Sequence, residues 1–170
     1  MKTVMTNLLG VSIAIVAHVA NAAPPDLQTP SPVIYLADNL DEPDRLGWCI
    51  DTQGRGLSDR LHAHSCKPRG GDVQFSFDSG SGQIRSVAFE GLCASYTGSL
   101  PLGLVDCEQS DEQAFVYDEA TRTLRPKGNQ ETCLAVGDQS RSAGPFKSRA
   151  LEVATCAETD DLLKTWIIRP

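Results

Sequence analysis

The stretch GLCASYTGSLPLGLVDCEQSDEQAF, residues 91–115, decides the fold, because its plan occurs three times. It holds Cys93 and Cys107 and then, eight residues beyond the second cysteine, Phe115. Upstream, Cys49 and Cys66 are followed by Phe75; downstream, Cys133 and Cys156 are followed by Trp166. A period of about 40 residues with two cysteines in each copy predicts a threefold β architecture, since one such unit cannot bury its apolar face alone.

Short strands surround these cysteines. The first unit offers residues 33–37, 47–51, 61–66 and 73–78, the second 83–89, 92–96, 102–107 and 114–118, and the third 122–126, 132–136, 151–156 and 164–168. Turn formers separate them, among them Arg69-Gly70-Gly71, Ser79-Gly80-Ser81-Gly82 and Lys127-Gly128-Asn129. Helical periodicity is not sustained anywhere beyond residue 22, and Leu162-Leu163 is expected to form a single turn. Residues 141–149, with Gly144 and Pro145, read as the longest loop of the third unit and as a mildly basic surface for interaction. A propeller would need at least about four blades. The expectation is an all-β chain with three four-stranded repeats, about 33–80, 81–121 and 122–170.

The first 22 residues have the pattern of an export leader. Lys2 supplies a positive end, Leu8 to Ala17 a short apolar run, and Ala20-Asn21-Ala22 a small-x-small cleavage site. That run is too short for a membrane span, which needs about 20 residues. The sequence thus predicts a signal peptide over 1–22 and a secreted or periplasmic protein. Residues 23–32, with four prolines, read as an extended, loosely held linker.

Export governs how the six cysteines are read. Their number is even and no C-x-x-C occurs, so disulfides are expected rather than zinc. Pairing within each unit gives every repeat the same staple: Cys49–Cys66, Cys93–Cys107 and Cys133–Cys156. Each bridge would contribute on the order of 3 kcal/mol on the chain-entropy model. Lys2 is the only charged residue before position 23, so the chain beyond it has 14 basic and 22 acidic side chains, net −8. That balance argues against nucleic acid and anionic membrane as general partners.

Three groups of residues together resemble the ricin-type (R-type, Q-x-W) lectin β-trefoil. They are Gly47-Trp48-Cys49-Ile50-Asp51, Gly91-Leu92-Cys93-Ala94-Ser95 and Glu131-Thr132-Cys133-Leu134-Ala135. The Q-x-W signatures appear as Val73-Gln74-Phe75, Gln113-Ala114-Phe115 and Lys164-Thr165-Trp166. The resemblance covers about 33–170 and implies a single β-trefoil with a disulfide inside each repeat. It also implies where a sugar would sit: a carboxylate just after the first cysteine, an aromatic two residues before the second, and an amide and glutamine at the Q-x-W signature.

Carried onto this chain, those positions are unevenly filled. The first repeat has Asp51, then His64 in place of the stacking aromatic with His62 one strand period earlier, and Asp72 in place of the amide. The second has Ser95 and Val105, keeping Glu112 and Gln113; the third has Ala135, Ala154, Leu163 and Lys164. The candidate carbohydrate site is therefore Asp51, His62, His64 and Asp72. Three readings fit these residues: a saccharide site with a histidine platform, a divalent-metal site using the H-x-H pair, or solvated polar residues on a sheet rim. Phe75, Phe115 and Trp166 are expected in the core. Trp48 and Tyr96 are either packed beside their cysteines or exposed as contact anchors.

No nucleophile elbow, P-loop or zinc-protease motif occurs, so no enzyme and no cofactor is expected. Two functions remain. One is an exported carbohydrate-binding module acting on glycans through the first repeat. The other is a degenerate trefoil working through a protein partner, as the targeting subunit of a secreted toxin or other exported complex.

Overall fold

Apolar residues in short alternating runs form strands wherever a turn former ends the run. A computed structural model gives the structure of residues 23–170; the expected leader, 1–22, lies outside these described residues. The first unit contains β1 (Val33–Leu36), β2 (Trp48–Thr52), β3 (Leu61–Ser65) and β4 (Phe75–Asp78). The second contains β5 (Gln83–Ser86), β6 (Leu92–Ser95), β7 (Gly103–Asp106) and β8 (Phe115–Asp118). The third contains β9 (Thr123–Pro126), β10 (Thr132–Val136), β11 (Arg141–Ala143), β12 (Phe146–Arg149), β13 (Leu151–Thr155) and β14 (Trp166–Arg169). Helix is confined to a 3-10 turn at Asp111–Gln113 and to α1 (Asp161–Lys164), where the single turn was expected.

The pairing repeats three times. Antiparallel hairpins β2/β3, β6/β7 and β10/β13 occur once per unit. The pairs β4/β5 and β8/β9 join one unit to the next, and β1/β14 joins the last to the first. This arrangement is consistent with a β-trefoil. At the β4–β5 turn, Gly82 has φ +77°, and a Cβ there would lie 2.5 Å from the Phe115 carbonyl oxygen. Only glycine permits that approach. The three disulfides form as the symmetry argument predicts, Cys49–Cys66, Cys93–Cys107 and Cys133–Cys156.

The expectation of four strands per unit fails in the third. Residues 141–149 are not a loop but the hairpin β11/β12, turned at Gly144-Pro145. Gly144 has φ +64°, and proline cannot follow with positive φ, so the turn is of the II′ kind, which puts glycine first. Arg-Ser-Ala and Phe-Lys-Ser-Arg show no apolar alternation. They become strands because β12 adds to the free edge of β3, with Ser148 opposite His64 and Arg149 opposite Ala63.

One core fills the centre. Ile34, Trp48, Ile50, Phe75, Ile84, Phe115, Leu124, Leu134 and Trp166 are all buried, so the aromatic after each cysteine pair is a core residue as expected. Trp48 is likewise packed rather than exposed, its indole N–H donating to the Asn39 carbonyl at 2.8 Å. Tyr96 is half-buried against the same core.

Residues 23–32 are without regular structure, as their prolines dictate, yet they are not loosely held. The Asp26 N–H donates to the Arg45 carbonyl at 2.7 Å, the Thr29 hydroxyl donates to the Lys67 carbonyl at 2.9 Å, and Arg169 donates to the Thr29 carbonyl. Composition alone does not show these partners, which come from positions far along the chain.

Candidate functional site

The β2/β3 register builds the floor of the site. Cys49 lies opposite His64 and Asp51 opposite His62. Strand alternation puts these four on one face, while Ile50 and Ala63 join the core on the other. The Asp51 carboxylate is only 1% exposed. Its Oδ1 accepts the Thr52 N–H at 2.7 Å, and its Oδ2 lies 2.8 Å from Lys67 Nζ, 3.7 Å from His64 Nδ1 and 3.9 Å from His62 Nε2. Lys67 Nζ reaches on to Asp72 Oδ1 at 2.6 Å. The four residues expected at the site do come together, with Asp72 joined to the rest through Lys67.

Sequence reasoning missed Lys67 because its place, one residue after the second cysteine, is not among the positions where the resemblance implies a sugar contact. The corresponding residues in the other units are Glu108 and Ala157. The signal was physical: two carboxylates expected at one site require a counter-charge when buried, but four basic residues lie between them in sequence, Arg55, Arg60, Lys67 and Arg69, and only the fold brings Lys67 to both.

Charge is balanced internally. Burial pushes the Asp51 carboxyl up, but His62, Lys67 and His64 together outweigh it and hold the group below the ordinary carboxylate range. Burial pulls the Lys67 ammonium down, and the two aspartates reverse this, holding it above its usual value. For His64 burial wins. Despite the nearby Ser65 carbonyl and Asp51, its imidazole sits below the usual histidine value, with Lys67 and His62 adding to the depression.

The geometry bears on the other two readings of these residues. Asp51, His62 and His64 are buried rather than solvated, with Asp51 bonded to its own turn at Thr52. The Lys67 ammonium lies between the two carboxylates, and His64 Nδ1 is turned to the Ser65 carbonyl at 2.9 Å. Among the described residues no group of three or more His, Cys, Asp or Glu could hold a metal ion.

The walls come from elsewhere in the chain. Hairpin β11/β12 stands on the β3 edge and brings Phe146 against His64, edge to face at 5.5 Å between ring centroids. The Lys147 N–H donates to Ser65 Oγ at 3.1 Å, and Arg141 Nε donates to Ser148 Oγ at 3.1 Å. Arg149 lies 4.8 Å over the Trp48 ring and pairs with Asp41, which fixes β12 to the first unit. Opposite, the 53–55 turn contributes Arg55. The result is an open cavity of about 500 Å³ lined by His62, His64, Lys67, Arg55, Arg141 and Phe146 among others. That size is in the range of small-ligand sites.

The corresponding places in the other units carry no histidine and a single carboxylate, Glu152. In the second, Ser95 lies opposite Gly103 and Cys93 opposite Val105; in the third, Ala135 lies opposite Glu152 and Cys133 opposite Ala154. Gln113 is buried and spent on the fold, donating to the Asp106 carbonyl at 2.8 Å and accepting the Glu108 N–H at 2.9 Å.

The chain matches the family model of the ricin-type beta-trefoil lectin domain over residues 80–170. This is more than half of the chain and spans the second and third units and hairpin β11/β12. The β2/β3 floor lies outside the matched segment. No curated protein matches the chain. Domains of this family are carbohydrate-binding modules and are generally non-catalytic. No helix among the described residues is long and apolar enough to cross a membrane.

Proposed function

The chain belongs to the ricin-type β-trefoil lectin domain family, and from that premise we propose that it is an exported carbohydrate-binding module with one working saccharide site. The site is the cavity over β3. The observation that carries this reading is the register: at threefold-equivalent places only the first unit sets imidazoles, His62 and His64, beneath an aromatic wall, Phe146, where the others have Gly103 and Val105 or Glu152 and Ala154. Hydroxyl recognition needs oriented hydrogen-bonding groups, and the C–H face of a sugar ring needs a flat apolar surface. Asp51 and Asp72 act from behind, by positioning Lys67. Three disulfides and a lectin fold fit an oxidising location, and export through the leader over 1–22 to the periplasm or the outside accounts for them.

A glycan array with the disulfide-bonded chain tests the reading. Specific binding should be lost in His62→Leu, which keeps the volume and removes the imidazole, and retained in Ser95→Ala. Equal loss in both variants contradicts a single site. A blank array with correctly bridged protein moves the assignment to the protein-contact role.

A further inference from the structure

The lining of the cavity is cationic. Arg55, Lys67 and Arg141 line it beside His62 and His64, and no carboxylate does; Asp51 lies beneath, 1% exposed. This is unexpected on a chain of net charge −7. Elsewhere the exposed Arg45, Arg85 and Lys127 each sit against an aspartate. Among the described residues the exposed Arg55, Arg60, Arg69, Arg122 and Arg141 form no ion pair, and of these five Arg55 and Arg141 stand at the cavity. The cavity lined by Tyr96, Asp111, Glu112 and Asn129 has the opposite sign, so the basic character is local.

His62 adds a second, independent observation. It is 7% exposed and lines the cavity, and neither ring nitrogen makes a hydrogen bond, Nε2 standing 3.9 Å from Asp51 Oδ2 and Nδ1 having no partner at all. A buried polar group in that state is costly, and a ligand in the cavity supplies the missing partner.

The hydrogen-bonding balance points to the ligand's chemistry. Arginine and lysine only donate. A neutral sugar presents hydroxyls that donate as well as accept, and the buried carboxylate that would take their protons is covered by Lys67. A carboxylate or sulfate group accepts at every oxygen and meets a guanidinium in two parallel hydrogen bonds. We infer that the cavity selects an acidic saccharide, whose ring bears a carboxylate or sulfate held by Arg141 and Arg55 with the ring over His62 and against Phe146. This inference rests on the lectin reading above.

Isothermal titration with N-acetyllactosamine and its sialylated and sulfated forms, at low and high salt, tests it. The acidic forms should bind at least about tenfold tighter than the neutral parent, the span of one charge-assisted hydrogen bond. Which acidic form binds better identifies the oxyanion. Arg141→Ala and Arg55→Ala should each cost about tenfold in that affinity with an unchanged unfolding midpoint, since both side chains are exposed. Lys127→Ala, paired with Asp111 on another face, should change nothing. Equal affinity for neutral and acidic forms overturns the inference and leaves the lectin reading standing. Equal loss in Lys127→Ala overturns it by reducing the binding to general charge attraction. No saccharide bound here or on the array overturns both.

Discussion

Lys67→Met is the most informative single change to the site, because it removes one charge and almost no volume. In the wild type the ammonium lies 2.8 Å from Asp51 Oδ2 and 2.6 Å from Asp72 Oδ1. Asp51 is 1% exposed and keeps only the Thr52 N–H and two imidazoles when Lys67 is gone. Removing one partner of a buried pair costs about 3–5 kcal/mol, and we expect about 3, because the Lys67 side chain is 22% exposed and water can replace part of it. For a domain of this size that is a fall of about 6–12 °C in Tm. The loss should depend on pH. His64 is held below its usual value by burial and partly by Lys67 itself, so removing the ammonium raises it. A protonated His64 then stands in for the missing cation, and the loss shrinks as pH falls below about 6.5, the ordinary histidine value. In the wild type the sign is opposite. Depression of His64 means that the unfolded chain takes up that proton first, so its contribution to stability is full above about 6.5 and declines as pH drops. Asp51, depressed instead, holds its contribution down to the acid range and loses it only as pH falls through its folded value. Urea unfolding at several pH values, with disulfides intact, measures all of this. A loss under about 1 kcal/mol at pH 8, below the range for buried pairs, or one that does not shrink in acid, refutes Lys67 as the counter-ion of Asp51.

Two other perturbations test the frame around the site. Replacing Cys49 and Cys66 together by alanine opens a bridge spanning 17 positions and should cost about 3 kcal/mol in the same urea assay; non-reducing peptide mapping of the wild type should recover only links within units, and any link between units contradicts the symmetry. Gly144→Val places a β-branched residue at φ +64° with nothing within 4 Å of its Cβ, so the cost is backbone strain of about 1–3 kcal/mol, confined to the β11/β12 turn. Saccharide binding should fall while unfolding stays cooperative, and unchanged binding would show that the hairpin is not a wall of the site.

What the sequence determined by itself is the frame. Six cysteines in three equivalent pairs, an aromatic after each pair, and glycine-rich turns between alternating runs depend on local spacing, and local spacing is preserved in the fold. The threefold plan, the disulfide partners, the buried Phe75, Phe115 and Trp166, and the meeting of Asp51, His62 and His64 were therefore legible. Asp51 and His62 needed only the antiparallel register that the Cys49–Cys66 bridge imposes. What only the tertiary structure decided is everything that reaches the site from a distance. Residues 141–149 carry no strand signal of their own and become β11/β12 because β3 offers an open edge. The prolines of 23–32 suggest slack, yet distant partners such as Lys67, Gln74 and Arg169 hold that segment down. Burial also belongs to the fold rather than to the motif. It turns Asp51 from an exposed acceptor into an anchor for Lys67, and so leaves Arg55, Lys67 and Arg141 as the charged groups lining the cavity.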